Sequence, residues 1–127
     1  MSNVNELITS YIAAWNERDS RRRHELVART WSDDGSYVDA HRTGTGHEGV
    51  SAMMATVHAA YGVEYQFHLK SADEAHHEFV RFQWEAGGTK EAPLHFVGTD
   101  IGIVGIDGRF KSVIGFTDEA PARQASR

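Results

Sequence analysis

Three side chains carry the types and surroundings that proton chemistry needs: Tyr11, Asp39 and Asp100. Asp100 interrupts the apolar run His95-Phe-Val-Gly-Thr-Asp-Ile-Gly-Ile-Val-Gly-Ile106, where a carboxylate has to be buried, paired or turned to a cavity. If Asp107-Gly108 is a two-residue hairpin turn, Ile106 pairs with Arg109 and Asp100 lies opposite Gly115. Gly98, Gly102 and Gly115 are then its neighbours on one face, and so little bulk around one acid predicts a hollow. The competing reading is a structural Asp bonded to backbone or to His95. Asp39 lies in Ser36-Tyr-Val-Asp-Ala-His41, read as a short strand with Tyr37, Asp39 and His41 on one side. It therefore either meets water or enters an interior beside an aromatic ring. Tyr11 falls on the buried stripe of a helix, the ordinary place for a core Tyr whose hydroxyl finds a partner.

A second motif competes for the same stretch. Gly44, Gly46 and Gly49 spell G-x-G-x-x-G after a strand and before a helix, the local context of a dinucleotide site. Such a site needs parallel strands with crossover helices, and the rest of the chain reads as hairpins. The glycines are instead expected to make a tight loop and a close helix start, with no cofactor. Eight His invite a metal, but His76 and His77 point to opposite faces of a strand and no H-E-x-x-H or facial carboxylate set exists. No metal is expected.

The elements that must position these groups follow from periodicity. Val4, Leu7, Ile8, Tyr11, Ile12 and Trp15 form one helical stripe. Asp19 or Ser20 can cap a second helix that carries Leu26, Val27 and Trp31 inward until Asp33-Asp34-Gly35 breaks it. After the strand at 36–41, Val50, Met53, Met54, Val57 and Tyr61 mark a third helix ended by Gly62. From Val63 the period becomes two, with turns expected at Ala72-Asp73-Glu74, Gly87-Gly88 and Asp107-Gly108. The order α-α-β-α-β-β-β-β is an α+β fold whose second half is an antiparallel meander. Val97, Ile101, Ile103, Phe110, Ile114 and Phe116 give the last strands one apolar face, and Leu94, Phe96 and Val104 the other. A sheet apolar on both sides needs cover on both, from helices and from a second subunit, so a homodimer is expected.

The 127 residues fit one domain, residues 1–127, with 118–127 as a flexible tail. A net charge of −5 and a basic run of only Arg21-Arg22-Arg23 argue against nucleic acid. There is no cysteine, and nothing reads as a signal peptide or membrane span, so a cytoplasmic protein is the default expectation.

The segments SYIAAWNERD, SDDGSYVDAH, the glycine-opened third helix and GTDIGIVGIDGRFKSVIGF together resemble the nuclear transport factor-like superfamily. Within it they are similar to SnoaL-like polyketide cyclases and Δ5-3-ketosteroid isomerases, over about residues 4–118. The resemblance implies a curved sheet wrapped as a cone around three helices, with a deep apolar pocket. It also implies that Asp39 is a base removing a proton next to a carbonyl, with Tyr11 and a protonated Asp100 holding the oxyanion. In the cyclases resembled, an acid at the Asp100 position is the general acid/base. The pocket wall is expected from Trp15, Tyr37, Met54, Val57, Phe82, Trp84 and Gly115. Ala40 stands where the isomerases commonly have Pro, and Met54 where some have a second Tyr. An epoxide-hydrolase arrangement ranks lower, since Gln83 stands beside Arg81 where a second acid is wanted. The expectation is a cofactor-independent isomerase or cyclase acting on a small hydrophobic or aromatic carbonyl-containing molecule. The alternative is a non-catalytic ligand-binding or assembly module. Two buried carboxylates favour chemistry over simple binding of a neutral ligand, and an anionic ligand would argue against both assignments.

Overall fold

The computed structural model describes residues 4–87 and 95–120, with residues 72 and 73 described by backbone alone. Helix α1 (Val4–Asn16) buries the predicted stripe, with Leu7, Ile8, Tyr11, Ala14 and Trp15 inward. Asp19 caps α2 (Ser20–Thr30) by accepting from the Arg22 amide at 2.9 Å. Helix α3 (Gly46–Tyr61) stops at Gly62, whose φ of 83° closes the last turn. The strands are β1 (Trp31–Val38), β2 (Thr43–Thr45), β3 (Gln66–His76), β4 (Phe79–Gly87), β5 (Phe96–Val104) and β6 (Phe110–Glu119). They form one mixed sheet ordered β2-β1-β6-β5-β4-β3, in which only β1 and β6 run parallel. The curved, unclosed sheet holds the helices on its concave face, so the α+β cone is the fold.

Several local expectations are corrected. Trp31 is fully buried but opens β1 instead of ending α2. Asp33-Asp34-Gly35 is an irregular stretch within β1, between the pairs Trp31↔Phe110 and Ser36↔Ser112. A Cβ on Gly35 would lie 2.9 Å from the Trp31 ring and 3.0 Å from the Phe110 carbonyl, which is why only glycine fits. The unpredicted β2 pairs with β1, and Gly44 packs against Gly49 so closely that a Cβ there would meet its carbonyl oxygen at 2.7 Å. The G-x-G-x-x-G glycines thus let β2 rest on the start of α3.

Residues 72–74 do not turn. Pairing with β4 outweighs local turn propensity, and β3 passes through them with register shifts between Leu69 and Ser71 and between Ala72 and Glu74. The chain turns instead at His77, with φ 56°. Asp118 and Glu119 extend β6 and do not begin a tail. The predicted turn at Gly87-Gly88, the start of the next strand with Leu94, and the tail from residue 121 lie at or outside the limits of the described residues. Among the described residues no helix is long and apolar enough to cross a membrane.

The β5–β6 connection is also longer than two residues. The Gly105 amide donates to the Arg109 carbonyl and Val104 pairs with Phe110, one residue off the predicted register. A bulge between Ile103 and Val104 then restores Ile103↔Ser112 and Asp100↔Gly115. The bulge also turns Phe110 inward, away from Ile114 and Phe116, where simple alternation put it on their face.

Candidate active site

Asp100 is placed by sheet register. It lies between Phe82 of β4 and Gly115 of β6 on the concave face, only 2% exposed. Helix α1 lays Tyr11, 1% exposed, over this point, and the Tyr11 hydroxyl makes a short hydrogen bond to Asp100 Oδ2. The Trp84 indole N–H donates to Oδ1 at 2.9 Å. The partners are thus a phenol and an indole, neither backbone nor His95. Burial pushes the Asp100 carboxyl up to about 7 against those two donors, and the charges of Asp39 and Asp118 push the same way. Burial, reinforced by the Asp100 charge, raises the Tyr11 phenol well above its ordinary range, so it stays a donor at neutral pH.

The expected hollow is only partly there. A Cβ on Gly98 would fall 2.1 Å from the Trp84 ring, and one on Gly102 would fall 2.3 Å from the Phe110 ring, so both glycines make room for aromatic side chains. Gly115 is different. The site of its missing Cβ is 2.6 Å from the Tyr37 hydroxyl and 2.8 Å from Asp100 Oδ1, so this glycine lets the two polar groups approach each other.

Asp39 follows the end of β1 and is half-buried. Its Oδ1 accepts from the His41 and Arg42 amides, both at 2.8 Å, and its Oδ2 accepts from the Tyr37 hydroxyl at 2.8 Å. The bond from the Asp39 amide to the Arg42 carbonyl closes the turn. Burial first, then the charges of Asp100 and Asp39, raise the Tyr37 phenol. The sequence Tyr11–Asp100, Tyr37–Asp39 therefore runs from the buried floor toward the surface along one wall.

That wall bounds a cavity of about 90 Å³ lined by Tyr11, Trp15, Tyr37, Asp39, Val57, Trp84 and Asp100. Seven of the ten predicted catalytic and wall residues meet there. Met54 and Phe82 do not line it; both are fully buried, and Phe82 packs edge-on against Tyr11 at 5.1 Å between ring centres. Gly115 lies behind the Asp100 carboxylate. The lining also includes residues that the sequence had not assigned to the pocket wall: Ile12, His41, Arg42, Tyr61, Tyr65, Phe67, Phe96 and Thr117. Tyr61 and Tyr65 stack at 4.5 Å and Phe96 meets both rings edge-on. The alternation of Tyr65 and Phe67 was a usable signal, whereas Arg42 sat inside a stretch read as loop. Away from the cavity lining, His58 bonds the Trp15 carbonyl at 2.7 Å and is pushed down by burial, while His68 and His95 are exposed. Among the described residues no three His, Asp or Glu side chains gather as a metal site.

No family model matches the chain, and no curated protein matches it in sequence. Solved structures do. A SnoaL-like family protein from Agrobacterium tumefaciens str. C58, bearing a provisional isomerase name, superposes with a TM-score of 0.82 at 32% identity. The match covers 90% of this chain and 96% of that one. A provisionally named SnoaL-like polyketide cyclase from Jannaschia sp. CCS1 matches with a TM-score of 0.72 at 14% identity, covering 89% of this chain and 83% of that one. An NTF2-like protein of unknown function from Exiguobacterium sp. 255-15 matches with a TM-score of 0.71 at 15% identity, covering 89% and 98%. The last two likenesses concern the fold alone.

Proposed function

This chain belongs to the SnoaL-like family, and on that premise we propose that it is a cofactor-independent enzyme that moves a proton next to a carbonyl, with Asp100 as general acid/base. The supporting observation is a carboxyl 2% exposed, at the floor of an aromatic cavity, whose burial brings it to about 7. A group poised near neutrality can both take and return a proton. Asp100 accepts the proton from the carbon beside the carbonyl, the C–H electron pair moves into an enolate, and the proton returns at the position that completes isomerisation or ring closure. Tyr11 and Trp84 hold the carboxylate by donating to it. This division differs from the expected one, because the Tyr11 proton is committed to Asp100 in the resting site. Asp39 serves as the second acid nearer the mouth, linked to the floor through Tyr37. Solvent deuterium exchange at the α-carbon of small carbonyl compounds, followed by NMR, tests the reading. Exchange catalysed by the wild type and abolished in folded Asp100→Asn is expected; equal rates in the two proteins would refute it.

One observation favours the alternative of a binding module: each oxygen of Asp39 and Asp100 already has a protein donor. Retained ligand affinity in Asp39→Asn, with no exchange by the wild type, would favour that reading. For the convex face we propose a homodimer contact. Val38, Ile114 and Ile101 lie side by side across β1, β6 and β5, with Phe116 and Phe79 nearby, and Val38, Ile114, Phe116 and Phe79 are 41–52% exposed.

A further inference from the structure

Arg42 is the one charged group of the cavity that the proton-transfer reading does not use. Its Nε donates to Thr56 Oγ1 on α3 at 3.2 Å, and that hydroxyl in turn donates to the Met53 carbonyl at 2.6 Å. The guanidinium is therefore tied at one nitrogen, while Nη1 and Nη2 have no partner among the described residues. Arg21, Arg81 and Arg109 differ in facing acids: Arg21 faces Glu25, Arg81 faces Glu74, and Arg109 faces Asp107 and Asp33. The neighbouring acid does not neutralise Arg42 by direct pairing, because the Asp39 carboxylate is filled by two amides and the Tyr37 hydroxyl. A half-buried planar fork with both outer nitrogens uncommitted, in the wall of a cavity, matches the two oxygens of a carboxylate.

The rest of the cavity limits what can carry that carboxylate. Tyr61 and Tyr65 stack beside Arg42 in the lining, and Trp15, Phe67, Trp84 and Phe96 complete an aromatic enclosure suited to a flat ring. The enclosed space is only about 90 Å³ and the cavity is partly open, so the ring must be compact and its carboxylate must stand toward the mouth. The donors and the acid at the floor take a carbonyl. We propose that the substrate is a compact aromatic or conjugated carbonyl compound bearing a carboxylate, which Arg42 grips at the mouth while the carbonyl reaches Asp100. The placement of the carbonyl rests on the proton-transfer reading; the grip of Arg42 does not. The objection that two acids exclude an anion loses force. Asp100 sits at the far, buried end, where burial favours its neutral form, and Arg42 offsets part of the rise in both the Tyr37 and Tyr65 phenols.

The test compares 4-formylbenzoate with its uncharged isostere 4-formylbenzamide, by NMR titration of the wild type, Arg42→Met and Asp100→Asn. The wild type is expected to bind the benzoate at least about tenfold tighter than the benzamide, the gain typical of one charge-assisted pair. Arg42→Met should bring the two affinities together without weakening the benzamide. Asp100→Asn should keep the preference even if it abolishes deuterium exchange, so the two readings can fail separately. Equal wild-type affinities, a preference that survives in folded Arg42→Met, or no binding of the benzoate in the millimolar range would each overturn the proposal. The wild-type comparison stands by itself should Arg42→Met not fold.

Discussion

Replacing Asp100 by Asn should stabilise the protein at alkaline pH and not at acid pH. The folded carboxyl is raised from 3.8 to about 7, chiefly by burial. An acid raised on folding binds its proton more tightly in the folded state, so the stabilisation from protonation is complete below the unfolded value and is lost as the pH climbs through the folded one. Between those limits the wild type loses about 1.4 kcal/mol per pH unit from this group, or about 4 kcal/mol across the whole window. Asn cannot ionise and escapes that loss. It carries its own penalty, because its NH2 must either face the donor-only Trp84 indole or turn the Tyr11 hydroxyl from donor to acceptor and leave the Tyr11 proton unpaired, at a cost of about 1–3 kcal/mol that does not vary with pH. The variant should therefore be less stable than the wild type near pH 4 and more stable by about 1–3 kcal/mol at pH 8. Urea unfolding at several pH values, at one protein concentration so that self-association does not enter, measures the difference. The informative quantity is the change in that difference with pH, from which the constant penalty drops out. Parallel curves for the two proteins from pH 4 to 8 would mean that Asp100 ionises like a surface acid, and would remove the basis for making it the acid/base. A gain in stability together with a loss of exchange would mark the buried acid as a functional cost.

Tyr11→Phe removes one donor from the ionised carboxylate, so it should cost about 1.5–3 kcal/mol at pH 8, far less at pH 5, and slow deuterium exchange. Gly115→Ala puts a methyl 2.6 Å from the Tyr37 hydroxyl and 2.8 Å from Asp100; a loss of about 1–3 kcal/mol on urea unfolding and a shifted pH profile of exchange are expected, and an unchanged profile would separate Tyr37 from the acid. Phe116→Glu should convert a dimer into monomer in sedimentation velocity without changing the far-ultraviolet circular dichroism; a wild type that sediments as a monomer would refute the convex-face contact.

How far the sequence reached varies from element to element. The helical stripes of α1 and α3, the Asp19 cap and the Gly62 stop were legible, because each depends on residues within a turn or two of each other. Strand limits were not. Trp31 opens a strand because Phe110, far along the chain, pairs with it, and residues 72–74 stay extended because β4 supplies partners that outweigh their turn preference. The register of Asp100 came out right although the turn that was used to derive it is wrong: the longer connection shifts the pairing by one residue and the bulge beside Val104 shifts it back. Phe110 records that cancellation, since it alone ends on the other face.

By itself, the sequence determined the α+β class and the helix faces and marked Asp39 and Asp100 as candidates, all from local period or from a polar residue in an apolar run. Tertiary structure decided what the acids touch. Tyr11, Trp84 and Asp100 are brought together by packing α1 against the concave face of the sheet, and Tyr37 reaches toward Asp100 only because Gly115 leaves a gap between them. The same packing turned the glycine gaps at Gly98 and Gly102, expected to be part of a hollow, into seats for Trp84 and Phe110, and placed Arg42 in the cavity wall. Such distances depend on where separate segments come to rest against each other, which short-range periodicity cannot encode.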